Sequence, residues 1–215
     1  MSLDKHLNSF GVVPFSHGSL LPLLADYRRP NDKIADLLAK QDIIQLRRGL
    51  YVLGPERRQG PVSLPLFANL LRGPSCVSLD FALSWHGLIP EGVVDVSSIT
   101  PGRSASVNTP LGRFSYTHVP LSFYRIGIAR MLNPDGTAFL MASPEKAVCD
   151  KVALTRNLRI FSVPAMRDFL LEDLRLDEQR LTAMNLRVFQ ECAAAGYKQR
   201  LLGLLMETLE VLQCR

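Results

Sequence analysis

Apolar positions recur along this chain in two periods, and polar turn residues divide it into a short front part and a longer back part. Residues 3–10 read as a short first helix, and Ser19–Tyr27 as a second that offers Leu20, Leu21, Leu23 and Leu24 for burial. Pro22 falls in its first turn, where a missing N–H costs least. Pro30 disfavours helical backbone at Arg29 and ends that helix. Asn31 is then placed to cap a third helix, Asp32–Gln41, in which Ile34, Leu37 and Leu38 share one face. Directly after it, Ile43–Leu53 reads IIQLRRGLYVL, two β-prone runs around Arg47-Arg48-Gly49. That spacing predicts a hairpin with two cations at its tip and a glycine to let the chain turn. A helix followed at once by a basic-tipped hairpin is the layout of a winged helix, in which the helix enters the DNA major groove and the wing grips phosphates.

Gly54–Pro61 is polar and bracketed by Gly and Pro, and reads as a connector. Beyond it, Val62–Leu71 predicts a helix that stops at Gly73-Pro74. Ser78 is placed to cap the next, with Phe81, Ala82 and Trp85 on one core-facing side and a left-handed stop at Gly87. Strands are expected at Val93–Ile99, Arg113–Val119, Phe123–Ile126 and Ala138–Met141. Along Arg113–Val119, Phe114, Tyr116 and His118 alternate with Ser115 and Thr117, which fits a sheet face that is more readily buried than exposed. Ser143 caps another helix, with Pro144 in its first position and Glu145 at the positive end of its dipole. The remainder is helical, with apolar stripes Leu181, Met184, Val188, Phe189, Cys192 and Leu201, Leu204, Leu205, Leu209, Leu212. The expected fold class is therefore α+β. A winged helix-turn-helix domain spans 1–56 and a linker 57–61. A mixed α/β domain with a small sheet and C-terminal helices spans 62–215.

Charge adds modestly to this picture. The net charge is +5 and the pI near 9.2. Residues 1–60 hold nine Lys/Arg against six Asp/Glu, whereas 61–140 hold five against four and 141–215 eleven against ten. More than half of the cationic excess thus sits in the front part, as an anionic partner would require. Cys76, Cys149, Cys192 and Cys214 show no CxxC or zinc spacing with one another or with His6, His17, His86 or His118, and read as incidental thiols of a reducing compartment. The N-terminus lacks the apolar core of a signal peptide and no apolar run reaches the ~20 residues of a spanning helix. A cytoplasmic protein with no membrane association and no cofactor is expected.

Three segments taken in order, RRGLYVLG (Arg47–Gly54), VSLDFALSWHGLIPE (Val77–Glu91) and SPEKAVCDKVAL (Ser143–Leu154), resemble the AbiE-type antitoxins, the regulator–antitoxin half of type IV abortive-infection toxin–antitoxin systems. The wing ends in the Gly-Leu-Tyr element of such proteins. Ser78, Ala82, Leu83, Gly87, Leu88 and Ile89 match their S-x-x-x-A-L-x-x-x-G-L-I segment, and Pro144, Glu145, Lys146, Ala147 and Asp150 their P-E-K-A-x-x-D segment. The resemblance covers roughly residues 17–160. It implies DNA binding and transcriptional autorepression by the front domain, and a back domain that counters a co-encoded nucleotidyltransferase-like toxin. The expected partners are double-stranded DNA carrying promoter inverted repeats, bound by a monomer or weak dimer, and that toxin.

The residues placed for DNA are Asn31, Lys33 and Lys40 on the third helix, Arg47 and Arg48 on the hairpin, and Arg28 and Arg29 at the turn between helices. Asn31 sits near the helix start, where side chains reach base edges. The acids Asp32, Asp36 and Asp42 offset part of this charge. Two enzymatic alternatives carry less. Glu145, Lys146 and Asp150 offer the residue types of a metal-dependent nuclease, but a spacing of five on a helix keeps the carboxylates from converging. Ser84, His86 and Asp80 lack the strand–turn–helix elbow of a serine nucleophile.

Overall fold

The structure, a computed structural model, describes residues 3–214; residues 1–2 and 215, at the outer ends of the two expected domains, lie outside it. The chain is mixed α+β with two sheets and a run of C-terminal helices.

The front part begins with α1 (Leu3–Asn8), a two-residue strand β1 (Phe15–Ser16), and α2 (His17–Leu20), which passes into a 3₁₀ turn (Leu21–Leu24). The expected second helix is thus a short helix and a tighter turn, with Pro22 in that turn's first positions. Helix α3 spans Pro30–Ala39 and is followed by the hairpin β2 (Ile43–Arg47) and β3 (Leu50–Leu53). Pro30 itself takes the first helical position, so α3 starts earlier than expected and Asn31 lies inside it rather than capping it. Strand β1 adds to β3, giving a sheet ordered β1-β3-β2. Gly49 turns the hairpin at φ +76°, a left-handed conformation that glycine adopts without cost.

The hairpin serves two cores at once. Ile43, Tyr51 and Leu53 join Leu7, Phe15, Leu20, Leu24, Ile34 and Leu37 in a small apolar cluster. Leu46 and Val52 are buried in the larger cluster of the back part. A slip in register between Gln45 and Arg47 accompanies this division. The connector is also anchored: Arg57 donates to Asp42 (2.5 Å) and Asp4 (2.8 Å), so the segment expected as a free linker begins inside the bonding network of the front part.

The back part contains α4 (Leu64–Leu71), β4 (Cys76–Val77), α5 (Leu79–Trp85), β5 (Val96–Thr100), β6 (Ala105–Thr109), β7 (Gly112–His118), α6 (Leu121–Tyr124), β8 (Ile128–Leu132) and β9 (Ala138–Ala142). Its sheet has the order β6-β7-β5-β4-β9-β8, with β5/β7 and β4/β9 parallel and the other neighbours antiparallel. Helix α7 (Pro144–Leu154) packs against α5 and against the C-terminal helices α10 (Leu186–Ala194) and α11 (Gln199–Gln213). Between them lie α8 (Val163–Asp168), a π-helical turn (Phe169–Asp173) and α9 (Glu178–Thr182).

Several local expectations change. Phe123–Ile126 is not a strand: Pro120 opens a helical turn that buries Phe123 and Tyr124. Strands β6 and β8 were not anticipated; they are the two edges of the sheet and carry half-exposed sequences. Phe114 and Tyr116 are buried as the alternation predicts, but His118 is exposed, its ring held at the Gly102 carbonyl (2.9 Å). Trp85, expected in the core, is 49% exposed.

Candidate nucleic-acid interface and a buried polar centre

On the front part, His17 ties the start of α3 to the hairpin tip. Its backbone N–H donates to the Gly49 carbonyl (2.9 Å), and its ring Nε2 lies 3.2 Å from Asn31 Oδ1. The first turn of α3, the start of α2 and the turn of the hairpin therefore share one exposed surface. Arg48 stands beside this junction and is exposed, as are Arg28 and Arg29 in the turn leading into α3.

The expected DNA-contacting residues differ in how free their charge is. Arg29 pairs loosely with Asp32 (3.6 Å). Lys33 and Lys40 both reach Asp36, at 2.9 and 3.1 Å, and the Lys33 ammonium also lies over the Tyr27 ring. Hydrogen bonds from these two lysines hold the Asp36 carboxyl below its ordinary range, and the bond to Asp36 raises Lys33. The two helix cations are thus shared with one anion. Arg28, Arg47 and Arg48 take part in no ion pair among the described residues. Arg47, paired with Leu50 beside the tip, is exposed like Arg48. Burial pushes the Tyr116 phenol up to about 12, against the charges of Arg72 and Arg47. His17 was not singled out in the sequence; nothing local shows that it would reach both Asn31 and Gly49.

A second site lies in the back part, where the segments Val77–Glu91 and Ser143–Leu154 meet. Ser78 donates to Asp150 Oδ2 (2.5 Å) across 72 residues of chain, and Lys146 donates to the other carboxylate oxygen. Ser78, Lys146 and Asp150 are each fully buried. The Lys146 ammonium also sits 3.4 Å from the Phe123 ring centroid, a cation–π contact that helps a desolvated charge.

Local structure explains how the three groups converge. Ser143 Oγ accepts from Lys146 N–H (3.2 Å) and Pro144 takes the first helical position, so α7 starts where the sequence predicts. Lys146 and Asp150 then follow four residues apart on one helix face. Leu79 has φ +58°, a costly conformation for a non-glycine residue, and bends the chain sharply from β4 into α5. Ser78 occupies the N-cap position of α5, but contrary to expectation its side chain makes no capping bond. Instead Ser97 of β5 accepts from Phe81 N–H (3.4 Å) and donates to the Ser78 carbonyl (2.8 Å), which leaves the Ser78 hydroxyl for Asp150. Gly127 closes the site from outside: a Cβ there, at φ +61°, would come within 2.6 Å of Lys146 Cβ.

Burial raises the Asp150 carboxyl, while the Lys146 ammonium and Ser78 hydroxyl pull it back. Burial likewise raises the Cys76 and Cys149 thiols, the reverse of what a reactive thiolate needs. Glu145 points elsewhere and accepts from the Asn185 N–H (3.4 Å). Asp80 pairs with Lys151 (2.6 Å), His86 lies 2.9 Å from the Ala142 carbonyl, and Ser84 donates to the Glu91 carbonyl (2.8 Å), so these three do not form a nucleophilic triad. Among the described residues, no cluster of three or more His, Cys, Asp or Glu is placed to hold a metal ion, and no helix is long and apolar enough to cross a membrane.

No family model matches the chain, and no curated protein matches it. Among solved structures, the crystal structure of RV2827C protein from Mycobacterium tuberculosis is similar at a TM-score of 0.56 and 14% sequence identity, over 99% of this chain and 79% of that one. At that identity the similarity extends to the fold alone.

Proposed function

We propose that the front part, ending near residue 56, is a winged helix-turn-helix head that binds double-stranded DNA, and that the chain is a transcriptional autorepressor and antitoxin whose larger body counters a co-encoded nucleotidyltransferase-like toxin. The observation that carries the DNA-binding reading is the His17 junction, which holds the start of α3 and the hairpin tip on one face. On a duplex, that arrangement lets Asn31 approach base edges while Arg28, Arg29 and Arg48 meet phosphates on either side. Lys33 and Lys40 add their charge once phosphate competes with Asp36. Arg47, exposed at the end of β2, supplies a further cation next to the tip.

The antitoxin role rests on the resemblance of the two motif segments to the AbiE-type antitoxins. Their meeting at Ser78–Asp150–Lys146 gives both segments a shared structural task in the body. With Asp150 and Lys146 fully buried, the proposed role is structural support rather than catalysis. The test of DNA binding is fluorescence anisotropy with a duplex from the region upstream of the gene, in low salt. Saturable binding that a scrambled duplex competes for poorly is expected; no binding at any protein concentration would sink the reading. Co-expression with a neighbouring nucleotidyltransferase-like gene tests the antitoxin role: restored growth is expected, and unrelieved toxicity would refute it.

A further inference from the structure

The molecule has an apolar cavity of about 420 Å³ where head, connector and body meet. Val12 of the loop after α1, Pro61 and Val62 of the connector, Phe81 and Trp85 of α5, and Pro134 of the turn between β8 and β9 form its walls. Trp85 is the one tryptophan of the chain and is 49% exposed here. Its indole is fixed by stacking on Phe81 (6.3 Å between ring centroids) and by an edge contact with Phe139 (5.6 Å). A rigid aromatic plane facing an apolar space of this volume has the size and lining of a small-molecule pocket, for which ~300–1,000 Å³ is usual.

From this geometry we infer a binding site for a small, uncharged, planar aromatic molecule that stacks on Trp85. Asp135, Asn133 and Ser63 at the rim have their own partners, and Gln59 is exposed to solvent. Asp135 Oδ1 accepts from the Thr137 N–H (2.9 Å) and hydroxyl (2.6 Å), Asn133 Nδ2 donates to Thr137 Oγ1 (2.8 Å), and Ser63 Oγ accepts from Leu66 N–H (3.4 Å). The ligand therefore gains from apolar contact and stacking, and the Asp135 carboxylate disfavours an anion. A molecule seated there touches head, connector and body together, so its binding energy also favours the arrangement in which the three are held. The site is independent of DNA binding and has its own readout.

Trp85 supplies that readout, because all tryptophan emission comes from the site. The full-length protein is titrated with N-phenyl-1-naphthylamine, a neutral aromatic probe that accepts energy from tryptophan. Saturable quenching of Trp85 with matching sensitised emission, at one probe per chain, is expected. Val62→Phe fills the cavity and Val12→Asp places a charge in it. Each is expected to weaken the probe at least about tenfold while the circular dichroism spectrum and a cooperative melt are retained. The sulfonated analogue 8-anilinonaphthalene-1-sulfonate is expected to bind more weakly than the neutral probe. Absence of saturable quenching, or unchanged affinity in both folded variants, would overturn the site. Equal or tighter binding of the sulfonate would overturn the uncharged class. Probe binding that appears only where the cooperative melt is lost would assign it to partly unfolded chains and overturn the site as well.

Discussion

Asp36 on α3 and Lys40 at its C-cap stand four residues apart, as do Lys146 and Asp150 on α7, and the two pairs have opposite consequences. The first lies at the surface, where water screens both charges. The second is fully buried beside Phe123 and Ser78, where either charge alone would be stranded in a medium that solvates it poorly. Helix spacing is the same; surroundings decide whether a Lys–Asp pair is a screened surface charge or a fixed part of the core. On this account the head keeps its cations available to an anionic partner, and the body commits one to holding β4, α5 and α7 together.

The largest effect should come from breaking the buried pair. Lys146→Met or Asp150→Asn leaves an unmatched group in the core and is expected to cost about 3–5 kcal/mol. For a domain of this size that lowers the melting temperature by roughly 6–20 °C. Replacing both residues with apolar ones, Lys146→Met with Asp150→Leu, should cost less than either single change in a calorimetric double-mutant cycle. A double variant as unstable as the sum of the singles would show that the two groups do not act as a pair.

A smaller change, of opposite kind, is expected at the surface. Asp36→Asn releases Lys33 and Lys40 and should tighten binding to duplex DNA and steepen its salt dependence, while leaving the melting temperature close to wild type. Titration calorimetry with a short duplex checks this; weaker binding would mean that Asp36 orients the lysines productively instead of occupying them.

The smallest effect lies at alkaline pH. Burial pushes the Tyr116 and Tyr124 phenols up to about 12. An unfolded tyrosine loses its proton near 10, so between about 10 and 12 the folded chain binds more protons than the unfolded one, and stability falls as pH rises. Absorbance titration at 295 nm should show these phenols ionising late and together with unfolding. A single early transition for all tyrosines would contradict their burial.

Where structure follows from signals a few residues apart, the sequence was readable. Ser143-Pro144 starts α7, Ile34 and Leu37 face the small core, and Arg47-Arg48-Gly49 turns the hairpin. Phe123–Ile126 misled because a short apolar run fits strand and helix alike, and Pro120 decided for a helical turn. The pairing of Ser78 with Asp150 has no local signature: Ser78 looks like a helix cap until Ser97, from another strand, takes over that work. Trp85 looked like core because its helix face is apolar, and only the folded chain shows that a cavity lies over it. For the surface proposed to face DNA, charge and turn position point to Arg28, Arg29 and Arg48. No local signal indicates that His17 would bring Asn31 and the hairpin tip together.

The central claim, that the head's exposed arginines meet DNA phosphates, is tested most directly by the salt dependence of duplex binding. Anisotropy isotherms across a range of salt concentrations, for the wild-type chain and for Arg28→Ala/Arg29→Ala/Arg48→Ala, give the slope of log K against log salt for each. The account predicts a steep negative slope for the wild type that becomes shallower by roughly 0.9 for each arginine removed, with the fold unchanged. An identical slope in both proteins would contradict it.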